Sequence, residues 1–207
     1  MVTLLLGRVT TSTSMVLREY CLRLHTQHCG SSSFIVVDAC SAGTSPTTIR
    51  SNIIEAVRNI DQPEFILSSD RTFPIAAFDP EERWAQLKIE HLKRKGADTD
   101  AFVATMNTLL RLGHDIIDYE CDIPQVMRRD RLLSIMELFP LNALVRTAYF
   151  GLSHRTPTRT SDPTISHWIW HMQPTGPVLV LEDTCFKHPH ARRFLSKQGC
   201  SAGTSTH

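Results

Sequence analysis

The sequence predicts an α/β domain built on a mainly parallel sheet. Short apolar runs alternate along the chain with amphipathic stretches, the pattern of strands joined through helices. The run "FIVV" (Phe34 to Val37) is unbroken and rich in β-branched residues, as in a strand covered on both faces. Helical periodicity brackets it on both sides, over 15–27 and 46–60. Phe34–Val37 is therefore expected to be a central strand.

The elements follow in order. Residues 3–6 form a short strand or the remnant of one. "TTSTS" (Thr10 to Ser14) offers helix N-caps. Leu17, Tyr20, Cys21 and Leu24 then recur at helical spacing, and Gly30 ends that helix. After Phe34–Val37, Pro46 and two threonines open a helix with Ile49, Ile53, Val57 and Ile60 on its buried stripe. "EFILSS" (Glu64 to Ser69) reads as the next strand. A helix follows from Asp79-Pro80 through Lys95. Another runs from Asp100 to about Leu112, with Phe102, Met106, Leu109 and Leu110 inside. "RDRLLSIMELF" through "ALVRTAYFGL" is helical or mixed, and 153–163 is a Thr/Pro-rich loop. "SHWIWHM" and "PVLVLED" are expected as the last strands. Residues 1–197 are taken as one domain and 198–207 as a disordered tail.

Composition narrows the function classes. A chain of 207 residues is long enough to bury a core without cross-links. Its net charge of +1 points to no polyanionic partner. The basic clusters "HLKRK" (His91 to Lys95) and "RRDR" (Arg128 to Arg131) read as solvated helix faces, since neither has the interleaved aromatics of a nucleic-acid platform. No apolar run reaches the roughly 18 residues that span a bilayer. A soluble, cytoplasmic protein with no nucleic-acid or membrane partner and no cofactor is expected. The six cysteines (Cys21, Cys29, Cys40, Cys121, Cys185 and Cys200) are far apart without a CxxC pair, and are expected to be reduced.

Cys40 is the candidate nucleophile. It follows an expected strand, and in such sheets ligands collect at the carboxyl ends of strands. Ser41-Ala42-Gly43 is a small turn that lets a substrate backbone approach. The helix opening near Pro46 turns its positive end toward the sulfur, which favours thiolate. The competing reading is a small, half-buried residue that simply ends a strand.

The stretch "FIVVDACSAG" resembles the active-site strand of the caspase-like cysteine peptidases, the group that includes metacaspases. The match is four apolar residues, then Asp38-Ala39-Cys40, then Ser41-Ala42-Gly43. "FILSSD", "FVATMNTLL" and "HWIWHMQPTGPVLVL" follow the family's later rhythm more loosely. The resemblance implies a caspase-like three-layer sandwich and hydrolysis of a peptide or protein substrate through a Cys40 thioester. It also implies a substrate pocket formed around Asp38, Ser41 and Gly43, with Asp38 selecting a basic side chain. Read without the resemblance, Asp38 equally suits a carboxylate capping local backbone N–H groups. The family's base is a His-Gly pair at the end of the preceding strand. Upstream of Cys40 the chain has only His25 and His28. They sit at the amino end of a strand whose six residues, at about 3.3 Å each, span roughly 20 Å. The expectation is therefore an N-terminally truncated domain, as a fragment or an inactive homologue. A regulatory or scaffold protein on the same fold is the alternative, with an isochorismatase-type thiol hydrolase as another.

Two further features stand apart from this stretch. His167 and His171, and the group Cys185, His188 and His190, have ligand spacing for zinc, but the alternation around Trp168 and Trp170 suits satisfied histidines on one strand face. No metal is expected, and nothing in the sequence places His154, His167 or His171 near the Cys40 thiol. "CSAGTS" occurs at Cys40–Ser45 and again at Cys200–Ser205, where no strand leads into it.

Overall fold

A leucine-rich strand, and not the β-branched one, takes the inner place beside Phe34–Val37. The structure is a computed structural model that describes residues 1–7, 12–39, 44–76, 96–120, 123–152, 164–165, 177–181 and 189–200. In chain order the strands are β1 (Val2–Gly7), β2 (Ser33–Asp38), β3 (Glu64–Ser69), β4 (Thr72–Pro74), β5 (Gln125–Arg128), β6 (Thr164–Ile165) and β7 (Val178–Leu181). The helices are α1 (Ser12–Cys29), α2 (Pro46–Arg58), α3 (Ala97–Arg111), α4 (Arg129–Glu137), α5 (Val145–Gly151) and α6 (Pro189–Cys200).

The larger sheet has the order β2-β1-β3-β5. β1 runs parallel to β2, pairing Val2 with Ser33 through Gly7 with Asp38. It also runs parallel to β3, pairing Val2 with Phe65 through Leu6 with Ser69. β5 closes the far side antiparallel to β3. A mixed α/β fold with a mainly parallel sheet is what the sequence predicts. The central position expected for Phe34–Val37 is corrected: among the described strands β2 is an edge. Its exposure agrees, because Phe34, Ile35 and Val36 are only partly buried while Leu4 and Leu5 of β1 are fully buried.

Strand alternation sorts the core onto two faces. Val2, Leu4, Phe65 and Leu67 face α2, α3, α4 and α5, where Ile53, Val57, Met106, Leu109, Leu132 and Phe150 complete one large cluster. Leu5 faces the other way, toward Cys21 and Leu24 of α1, Phe73 of β4 and Leu179 of β7. Helices thus cover both faces of the sheet. The second sheet, ordered β4-β7-β6, lies on the α1 side through Phe73 and Leu179.

Local signals account for the helix ends. Ser45 is extended (φ −86°, ψ 159°) and its hydroxyl accepts from the Thr48 N–H at 3.2 Å, with Pro46 in the first turn of α2. Gly30 leaves α1 at φ +64°, the left-handed region that glycine enters without penalty. On α3, Phe102, Met106 and Leu109 are buried as expected, but Leu110 is 54% exposed because it sits on the shoulder of that stripe. The expected helix over 80–95, the 153–163 loop and the "SHWIWHM" strand lie outside the described residues. Within the expected tail, 198–200 belong to α6, and 201–207 lie outside the described residues. No helix among the described residues is long and apolar enough to cross a membrane.

Gly7 closes β1 where the chain after β3 folds over it. The Asp70 N–H donates to the Leu6 carbonyl at 2.9 Å, and the Asp70 side chain lies directly against Gly7. A Cβ built at Gly7 would overlap the Asp70 carboxyl group and stand 2.8 Å from the Asp70 Cβ, so rotating the carboxylate away does not relieve it. Gly7→Ala is therefore expected to destabilise the fold by about 1–3 kcal/mol. Urea unfolding checks this, and an unchanged midpoint would show that the close approach is absent.

Candidate functional site

The order β2-β1-β3 sets where a cavity opens. The chain leaves β1 through α1 to reach β2 on one side, then returns through α2 to β3 on the other. Right-handed crossovers in opposite directions put α1 and α2 on opposite faces. Between β1 and β3 the carboxyl ends are then covered from neither side, and ligands of such sheets bind at this switch point. A cavity of about 270 Å³ lies there, on the α2 face. Leu6 of β1, Leu67 and Ser69 of β3, Arg71 beyond it, and Pro46 and Ile53 of α2 form its walls.

Two buried arginines also line it. Arg146, in α5, is 3% exposed. Its Nη1 donates to the Ile123 carbonyl at 2.6 Å and to Gln125 Oε1 at 2.8 Å, and its Nη2 to the Leu67 carbonyl at 3.1 Å. All three acceptors are neutral. Arg50, in α2, is 8% exposed, and its Nη2 donates to the Met136 carbonyl in the last turn of α4. Its Nε is buried with no hydrogen-bond partner. Burial pushes the Arg50 pKa below its ordinary value, although a guanidinium keeps its proton in proteins. Neither arginine has a carboxylate partner among the described residues. Glu120 lines the same cavity, but its Oε1 accepts from the Thr147 N–H at 2.9 Å, and Asp98 lies exposed on the first turn of α3.

The sequence-predicted site divides differently. Cys40, Ser41 and Gly43 lie outside the described residues. Asp38 ends β2, and its carbonyl accepts from Asn52 Nδ2 at 2.9 Å. Val37 packs in the α2-side cluster, so alternation turns the Asp38 side chain toward the α1 face, away from the cavity. His154, His167, His171, Cys185 and His188 are outside the described residues, and His190 is exposed on α6. No group of metal-ligating side chains occurs among the described residues. Cys21 and Cys29 are buried thiols that form no disulfide, and burial pushes the Cys29 pKa up to about 12, which keeps it unreactive.

Sequence reasoning missed both arginines, though each leaves a trace. Arg50 stands three residues before Ile53 and seven before Val57, on the apolar stripe of α2. Arg146 is the single charge in "ALVRTAYFGL". Arginine is rarely buried without a reason, and a charge on an apolar stripe is the readable form of that reason.

No family model matches the chain, and no curated protein matches it. A solved structure that resembles it is a glycosyltransferase involved in the glycosylation of the major capsid of PBCV-1. It is 11% identical, covers 95% of this chain and 98% of its own, and superposes with a TM-score of 0.43. At that score the likeness carries no argument about this chain's activity. The caspase-like cysteine peptidase expected from residues 34–43 is corrected here. No family model and no curated protein supports it, and the strand that carried the resemblance is an edge among the described strands. The stretch misled because an apolar strand, an acid and a small-residue turn also serve the lip of an ordinary α/β sheet.

On the α1 face, His25 is fully buried. Its Nε2 lies 3.3 Å from the Thr72 carbonyl and 3.2 Å from Ser68 Oγ, and its Nδ1 has no partner. Desolvation pulls its pKa down to about 4, the Thr72 hydrogen bond opposing only in part. In the unfolded chain the ring titrates near 6.5. Between these values the unfolded state binds a proton that the folded state refuses. The His25 contribution is thus fully present above pH 6.5 and is lost as pH falls toward 4, by on the order of 3 kcal/mol. The stability difference between the native chain and His25→Gln, measured by urea unfolding at pH 7.5 and 4.5, is expected to shift in the variant's favour at the lower pH. Equal differences at both values would contradict the buried neutral ring.

Proposed function

We propose that this domain binds a small molecule bearing an oxyanion, a phosphate or a carboxylate, in the cavity between the carboxyl ends of β1 and β3. The observation that carries the reading is the pair of buried guanidiniums, Arg50 and Arg146, neither with a carboxylate partner among the described residues. A buried cation held only by neutral carbonyls has not recovered its lost hydration. An entering oxyanion supplies the missing charge and an acceptor for Arg50 Nε. Charge-assisted bonds from guanidinium to oxyanion are the strong kind, and the planar fork suits phosphate and carboxylate alike.

Size narrows the class. Drug-sized ligands occupy about 300–1,000 Å³, so a cavity of about 270 Å³ suits a phosphorylated or carboxylated fragment better than a whole nucleotide. The α2 N-terminus adds little. Pro46 has no N–H, and those of Thr48 and Ile49 are taken by Ser45, which leaves Thr47 to donate. The arginines dominate.

Inorganic phosphate at constant ionic strength is expected to raise the melting temperature saturably, because a ligand that binds only the folded state stabilises it by mass action, about 2.7 kcal/mol at a hundredfold excess over Kd. Arg50→Met, which keeps the stem and removes the charge, is expected to weaken phosphate binding at least about tenfold while remaining folded. A melting temperature that does not respond to phosphate, or a response that survives in Arg50→Met, would sink the reading.

A further inference from the structure

We propose that Cys21 and His25 of α1 clamp the corner between β3 and β4, and that His25 is thereby a positioning residue for the oxyanion cavity on the opposite face. The proposal rests on the oxyanion reading for its ligand and on independent geometry for the clamp. The corner is short: β3 ends at Ser69 and β4 begins at Thr72. Both Ser69 and Arg71 line the cavity, and the Arg71 N–H donates to Ser69 Oγ at 3.2 Å. The position of this corner fixes where the Arg71 charge stands relative to Arg50 and Arg146.

Two side chains one helical turn apart reach the corner from below. The Cys21 thiol approaches the Thr72 carbonyl at 3.3 Å and the Ser69 carbonyl at 3.9 Å. His25 Nε2 reaches the Thr72 carbonyl and Ser68 Oγ. A carbonyl only accepts, so Nε2 carries the proton and the ring is held in one tautomer. This leaves Nδ1 as an orphan acceptor in a dry site. Such an orphan costs free energy, and an apolar residue would fill this position against Phe34 without that cost. What the histidine adds over an apolar residue is a donor aimed at Thr72. The imidazole is kept neutral by burial, so it acts through this hydrogen bond and not through charge.

The test compares three variants in the full chain with inorganic phosphate as the probe. His25→Leu is expected to weaken phosphate binding about tenfold, the worth of one buried hydrogen bond expressed as affinity. His25→Gln restores an N–H donor and is expected to recover binding to within about threefold of the native chain. Leu24→Ala, a destabilising change beside His25 on the same helix, is expected to bind phosphate within about twofold of the native chain. In the ligand-free protein, amide exchange at Asp70 and Arg71 is expected to quicken in His25→Leu and not in Leu24→Ala. Should His25→Leu fail to fold, Cys21→Ala tests the other arm of the clamp by the same exchange measurement. Native affinity in His25→Leu, or an equal loss in Leu24→Ala, overturns the positioning role. If the native chain binds no phosphate, the oxyanion reading and the positioning role fail together, while unchanged exchange at 70–71 overturns the clamp itself.

Discussion

Two successive right-handed crossovers that run in opposite directions cannot both cover the end of the strand between them. β1 is that strand, and the rest of the architecture depends on it. Because α1 goes to one face and α2 to the other, the carboxyl edge between Leu6 and Ser69 is left open to be lined by side chains. The open edge demands a tight seam beneath it. Gly7 supplies the seam, since the Asp70 side chain crosses where a Cβ would stand. The seam brings Ser69 and Arg71 to the cavity, and from the opposite face Cys21 and His25 meet the same corner.

The arginines respond to this constraint. A parallel sheet ends in strand carbonyls, and the Leu67 carbonyl at the cavity floor needs a donor that water does not supply. Arg146 reaches it together with the Ile123 carbonyl and Gln125, and so ties β3, β5 and α5 at one point. Arg50 does the same between α2 and α4 through the Met136 carbonyl. A neutral donor would satisfy these carbonyls at lower desolvation cost. Two cations in their place bring charge that the neutral carbonyls do not balance.

Much of the fold was legible because its signals are local. "EFILSS" gave β3 to the residue, and the start at Pro46 and the stripe of Ile53 and Val57 placed α2. What was not legible depends on neighbours in space. β1 and β2 both read as apolar strands, and the β-branched one looked more interior. Which of them lies inside is decided by the crossovers and not by composition. β4 and β5, of three and four residues, are too short to carry a period. Of the candidate site, Cys40, Ser41 and Gly43 lie outside the described residues, while Ala39 just before them lines the cavity. Arg50 and Arg146 were missed because a lone charge on an apolar stripe reads first as a break in the pattern.

The most direct measurement is on the orphan group itself. In nitrogen-15-labelled protein, the Nε–H resonance of Arg50, identified by its loss in Arg50→Lys, is followed as inorganic phosphate is added. If an oxyanion completes the site, that resonance moves saturably and its proton exchanges more slowly with water, because the unpartnered Arg50 nitrogen has gained an acceptor. A resonance that stays fixed through the titration would mean that the buried charges serve only to tie strands and helices together, and the account of a binding cavity would be wrong.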